Sequence, residues 1–138
     1  MERIRRSLSM LPPWIFTAIV TIAILWLTLA PKPLGDNPPP LFPGADKLAH
    51  SLMFGGLAIV ILIDQQRRKN WKPEVLLQIF IAGLISAFFG IMIEFVQAWM
   101  GLGRGFEYGD IVADTTGAFF FAFLFFILQK SWLPDKPA

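Results

Sequence analysis

The chain has 138 residues, 55% of them apolar and 16% charged, with a formal net charge of +2. A soluble domain hides its apolar residues behind a surface about a quarter charged, so the expected cover here is lipid. The absence of cysteine excludes disulfides, thiolate metal sites and cysteine nucleophiles, the small net charge gives no reason to expect a nucleic-acid partner, and the lone histidine, His50, can supply one ligand or one acid–base group at most.

The first apolar run covers residues 14–30 and follows Arg3, Arg5 and Arg6. Its end, Thr28-Leu29-Ala30, loosely resembles a signal-peptidase site, but Pro31 directly after it should block cleavage and the run exceeds a usual signal core. An uncleaved first helix over about 13–30 is therefore expected. Pro31, Pro33, Pro38, Pro39, Pro40 and Pro43 then forbid regular structure and predict an extended, stiff loop.

A second run, 48–63, is opened by Asp46 at an N-cap position after Gly44. Its roughly 16 residues at about 1.5 Å each cover about 24 Å, less than the roughly 30 Å of hydrocarbon, so the helix is expected to start at residue 45 or 46 and to end near 63. After a polar stretch at 65–72, Pro73 is placed as a first-turn proline of a third helix, 74–100. Gly101, Gly103, Gly105 and Gly109 predict a flexible loop, followed by a fourth helix over 110–129. The expected fold is all-α, a single domain built as a four-helix transmembrane bundle.

Charge orients that bundle. Nine of the twelve Lys and Arg residues (Arg3, Arg5, Arg6, Arg67, Arg68, Lys69, Lys72, Lys130 and Lys136) fall in the N-terminus, the loop between the second and third helices, and the C-terminal tail. The positive-inside rule then puts both termini in the cytoplasm and the proline-rich loop outside. Trp14, Trp26, Trp71, Trp99 and Trp132 lie near ends of apolar runs, the headgroup level that amphipathic rings favour.

On that topology the odd polar residues gather near the outer face. Asp46, Lys47 and His50 open the second helix, Glu94 and Gln97 lie in the outer part of the third, Arg104 and Glu107 are in the loop, and Asp110 and Asp114 begin the fourth. Nothing comparable is expected at the inner ends. Asp46 and His50 share a helix face, as do Asp110 and Asp114. Gly83, Ala87, Gly90, Glu94 and Gln97 recur at steps of four and three and fall within about 80° of one another. Small residues so spaced let helices pack closely in lipid, so Glu94 and Gln97 are expected to point into the bundle. An ionisable group inside a membrane segment is a functional candidate by default, and Glu94 and Asp114 fit best. The structural alternative is a buried polar clamp, with Glu94 or Asp114 paired to Arg104 or His50 to fix helix order. Asp46 alone reads as a helix cap, and Gln97 as a group that orients a neighbour.

The blocks Asp46-Lys47-Leu48-Ala49-His50, then Glu94 with Gln97, then Arg104-Gly105-Phe106-Glu107 leading to Asp110-Ile111, Asp114 and Gly117 resemble the VanZ-like family of small membrane proteins over roughly residues 45–120. The chain departs from the family pattern at Asp114, where an asparagine is usual. The resemblance implies a multi-pass protein of the bacterial cytoplasmic membrane; the founding member is associated with resistance to teicoplanin, a glycopeptide with a lipid tail.

Three functions remain open. An outer-leaflet site could bind an anionic lipid, a peptidoglycan precursor or a lipoglycopeptide through the planar fork of Arg104 and the point charge of Lys47, with Asp46, His50, Glu94, Gln97, Glu107, Asp110 and Asp114 shaping the field. A membrane enzyme could act on a lipid head group, with His50, Glu94 and Asp114 as catalytic groups, and with His50, Glu94, Asp110 and Asp114 able to hold a divalent metal. A structural or accessory role would leave the cluster as a lock and the proline-rich loop as a docking strip. The sequence leaves the oligomeric state open.

Overall fold

The computed structural model describes residues 2–35, 42–101 and 105–133, and these are helical with no strands. The elements are α1 (Glu2–Ser9), α2 (Ile15–Leu29), α3 (Ala45–Arg68), α4 (Leu76–Met100) and α5 (Tyr108–Leu128), the last continued by a 3-10 turn at Gln129–Ser131. By length and composition α3, α4 and α5 can each cross a membrane, while α2 is a shorter apolar helix of 15 residues. Helices α2 to α5 alternate in direction, and α3 sits centrally, packed on α5, α2 and α4, with α5 also against α4.

Interior and surface are distributed as lipid requires. Phe54, Leu57, Ala58, Leu62, Ala82 and Ala122 form part of a buried core joined by Ile24 of α2. Outside, Leu77, Phe80, Leu84, Phe88 and Phe95 make an exposed apolar stripe on α4, and Phe120, Phe123 and Ile127 continue one on α5. In water such a surface would drive association; against hydrocarbon it costs nothing. On α4, Gly83, Ala87, Gly90, Glu94 and Gln97 are all buried, as their spacing predicts. The closest approach is between the parallel helices α3 and α5. A Cβ added at Gly117 would lie 2.6 Å from the Ser51 Cα, so only glycine admits this contact, and Ser51 Oγ seals it by donating to the Ala113 carbonyl at 2.9 Å.

Several boundaries differ from expectation. Helix α3 runs to Arg68 rather than ending near 63, because its last polar turn finds buried partners instead of water. It starts at Ala45 with Gly44, at φ 84°, in the N-cap position and no side-chain cap, so Asp46 lies in the first turn, where a carboxylate favours the helix dipole without capping it. Pro73 precedes α4 rather than occupying its first turn; Gln78 Oε1 instead accepts the Val75 N–H at 2.9 Å. Helix α5 begins at Tyr108, two residues before the expected start, and α1 is a short basic helix that apolar patterning did not reveal. The expected stiffness of the proline-rich loop concerns mainly residues 36–41, which lie outside the described residues.

The termini of α3 and α5 define two ends of the bundle. At the arginine end, Asp64 is fully buried and accepts from Thr17 N and Oγ1, both at 2.9 Å, and from Arg67 at 2.5 Å. Arg67 also donates to the carbonyls of Leu8, Leu11 and Pro12, tying the N-terminal segment down. Gln66 donates to Gln129, Gln129 exchanges hydrogen bonds with the backbone of Glu74, and Trp132 Nε1 donates to Gln66. This buried network contradicts the expectation that only one end carries clustered polar groups. At the histidine end, the starts of α3 and α5 meet the ends of α2 and α4, and the candidate site lies there.

Candidate functional site

Helix α3 supplies Asp46, Lys47 and His50 from its first two turns, and α5 supplies Asp110 and Asp114 from its own. Because the two helices run parallel in close contact, both opening turns face each other. The histidine ring is fixed by Asp114, whose Oδ1 lies 2.9 Å from His50 Nδ1. A carboxylate accepts, so Nδ1 carries the proton and Nε2 is the ring nitrogen left for another partner. Nε2 lies 3.8 Å from Asp110 Oδ2, beyond hydrogen-bond range.

Glycines make the room. A Cβ at Gly90 would lie 2.6 Å from Asp114 Oδ2, and one at Gly109 would lie 2.9 Å from Lys47 Cε. Each small residue thus admits a charged neighbour. Asp114 and Glu94 are fully buried, and neither Asp114 Oδ2 nor Glu94 Oε1 has a hydrogen-bond partner among the described residues. The other Glu94 oxygen accepts the Glu107 N–H at 3.1 Å, which ties the loop before α5 to α4.

Lys47 is a hub. Its ammonium lies 2.9 Å from Asp46, 2.6 Å from Glu107 and 2.6 Å from Asp110. Five carboxylates (Asp46, Glu94, Glu107, Asp110 and Asp114) thus gather around Lys47 and His50. Gln97 donates to the Thr28 carbonyl at 2.8 Å, joining α4 to α2. Its role is to fix α2 beside the site. Arg104 lies outside the described residues.

Beside His50 opens a pocket of about 540 Å³. Its lining is mixed: Leu27, Leu34, Phe42 and Met53 contribute apolar surface, and Asp46, His50, Gln97, Glu107 and Asp110 contribute polar groups. The apolar lining and the Ser51–Gly117 contact escaped the sequence reading. Hydrophobic residues in a membrane helix carry no mark of facing a cavity rather than lipid, whereas Gly117, three residues after Asp114, was a readable signal.

Residues 4–129, nearly the whole chain, match the VanZ/LLP1 family. The chain belongs to the VanZ/LLP1 family. No curated protein and no solved structure matches it. Three helices long and apolar enough to cross a membrane, in a member of this family, make it a membrane protein. In this VanZ/LLP1 protein the three blocks that carry the family resemblance are brought together as one site, apart from Arg104, and the departure at Asp114 becomes the carboxylate that orients the histidine.

Proposed function

We propose that this is a cell-envelope protein whose histidine-end site receives the polar head of an amphiphile at the outer leaflet of the cytoplasmic membrane. The observation that carries this reading is the pocket's mixed lining, with apolar Leu27, Leu34, Phe42 and Met53 beside polar His50, Asp110 and Glu107. Its volume suits a head group with the first part of a chain. The class favoured is anionic: a lipid phosphate, a peptidoglycan-precursor carboxylate or a lipoglycopeptide of the teicoplanin type. Lys47 is already held by three carboxylates, so we assign the contact with an anion to Arg104 or to a bound cation. A four-helix span with both termini inside is supported by the cations of α1, the end of α3 and the 3-10 turn, all at the arginine end. Single cysteines introduced into this cysteine-free chain test that orientation by their labelling from either side.

Native mass spectrometry of gently extracted protein tests the ligand. The expected result is a retained amphiphile, displaced when Met53→Trp fills the apolar lining and weakened by Arg104→Ala. A wild-type protein that retains none, and takes up none from mixed vesicles, ends this reading.

The His50–Asp114 contact favours a second reading, that the head group is also a substrate. An imidazole with one nitrogen held by a carboxylate, in the lining of a pocket, is arranged as a general base. On this reading His50→Ala abolishes turnover of the bound amphiphile while leaving it bound, and loss of neither would remove catalysis.

A further inference from the structure

Clustered carboxylates in a membrane protein need a counter-charge, and those at the histidine end fall into two groups, one largely exposed and one around buried Glu94. In the first, Asp46, Glu107 and Asp110 surround the Lys47 ammonium, which lies within 2.9 Å of each. That group already has its cation. In the second, His50, Glu94 and Asp110 offer one donor atom each, all within 4.8 Å of one another, and Lys47 touches this group through Asp110 Oδ1. Here Glu94 is fully buried with Oε1 unpartnered, which is the orphaned group that a ligand would satisfy.

The geometry points to a site for a single divalent transition metal ion of the zinc class, held by His50, Glu94 and Asp110 and leaving a coordination position open to the pocket. Asp110 divides its oxygens between two cations: Oδ1 faces Lys47 at 2.6 Å, and Oδ2 faces His50 Nε2 at 3.8 Å. The latter gap is too long for a hydrogen bond but suits two ligands on one ion with bonds of about 2.0–2.2 Å. Asp114 holds Nδ1, so Nε2 presents its lone pair to the ion, the carboxylate–histidine–metal arrangement that fixes ring orientation and raises ligand basicity. Two carboxylates and a neutral imidazole balance a dipositive ion. One imidazole with two carboxylates favours zinc-class ions over magnesium and calcium, which prefer all-oxygen shells. Three protein ligands are the count that leaves room for a head-group oxygen or water. The ion would also supply the positive charge that an anionic head group lacks in this site.

The inference rests on the same pocket as the amphiphile reading, but the two are separable by experiment. Tag-free full-length protein in detergent is stripped with EDTA, dialysed against Zn²⁺ and assayed for bound metal by elemental mass spectrometry. The expected result is a single Zn²⁺ per chain, lost in His50→Ala, Glu94→Gln and Asp110→Asn. Asp114→Asn should keep the stoichiometry and weaken affinity about 10- to 100-fold, as loss of an outer-shell partner does. Should the ligand variants fail to fold, Co²⁺ in the wild-type protein decides: the intense visible absorption of a four- or five-coordinate ion supports the site, and the weak spectrum of an octahedral aqua ion overturns it. Zinc retained in the folded ligand variants, or displaced equally well by Mg²⁺, overturns it too. Protein that binds amphiphile in EDTA but never zinc refutes the metal alone, whereas zinc bound without any amphiphile refutes the head-group reading alone.

Discussion

The two ends of the bundle bury similar residues to opposite effect. At the arginine end, Asp64 has both oxygens engaged and its charge matched by Arg67, whose guanidinium is in turn consumed by three backbone carbonyls. At the histidine end, Asp114 and Glu94 are equally buried, yet each keeps an oxygen without a partner among the described residues, beside a pocket. The arginine end is not perfect, since Gln65 Oε1 and one oxygen of Glu74 also lack partners. Even so, Glu74 is paired through its other oxygen with Lys69 at 2.9 Å. A closed polar network fixes structure, whereas an open one holds interaction capacity for something else.

The contrast can be broken most sharply with Arg67→Ala. Removing the guanidinium strands Asp64 as a buried charge and frees the N-terminal segment, so stability should fall by about 3–5 kcal/mol, read as the shift in unfolding in detergent. A loss below about 1 kcal/mol would mean that water reaches the pair, as at an exposed ion pair, and the two ends would no longer differ in kind.

Gly117→Ala probes what brings α3 and α5 together. Alanine gains about 1 kcal/mol in helix propensity, but its Cβ would strike the Ser51 backbone, which cannot yield as a side chain could. A net loss of roughly 1–2 kcal/mol is expected, with disturbance of the histidine end measurable as lost zinc uptake. An unchanged melting temperature would show that the helices can part at no cost, and the facing of the two opening turns would need another cause.

The smallest effect on stability is expected from Glu94→Gln, and it should carry the opposite sign. The amide keeps the shape and still accepts from Glu107 N–H, while a buried charge with no ion pair among the described residues disappears. Stability should hold or rise by up to about 1 kcal/mol, as at sites where function opposes folding, while ligand or metal uptake is lost. A large destabilisation would instead make Glu94 a clamp and the histidine end a second structural lock.

Much of the histidine end was readable in advance. Helical periodicity alone put Glu94 and Gln97 on the packing face of α4, and the spacing of His50 from Asp46 and of Asp114 from Asp110 placed each pair on one side of a turn. The partners were less readable. Gln97 reaches α2 rather than the acids, and Lys47 takes Glu107 and Asp110 as well as its neighbour Asp46. The arginine end was missed because Asp64, Gln66 and Arg67 look like the start of a wet loop. Only the N-terminal segment and Gln129, about sixty residues away in either direction, turn that stretch into buried helix.

What the sequence determined by itself was the medium and the faces: too few charges for a water-facing surface, apolar runs of helical length, and small residues at helical steps. These follow from local periodicity and transfer energetics, which need no knowledge of the partner. The tertiary structure alone decided which buried polar groups are satisfied and which are left open. Hydrogen-bond satisfaction depends on atoms brought together from distant parts of the chain, and a residue such as Asp64 or Asp114 carries no local sign of which outcome it will meet.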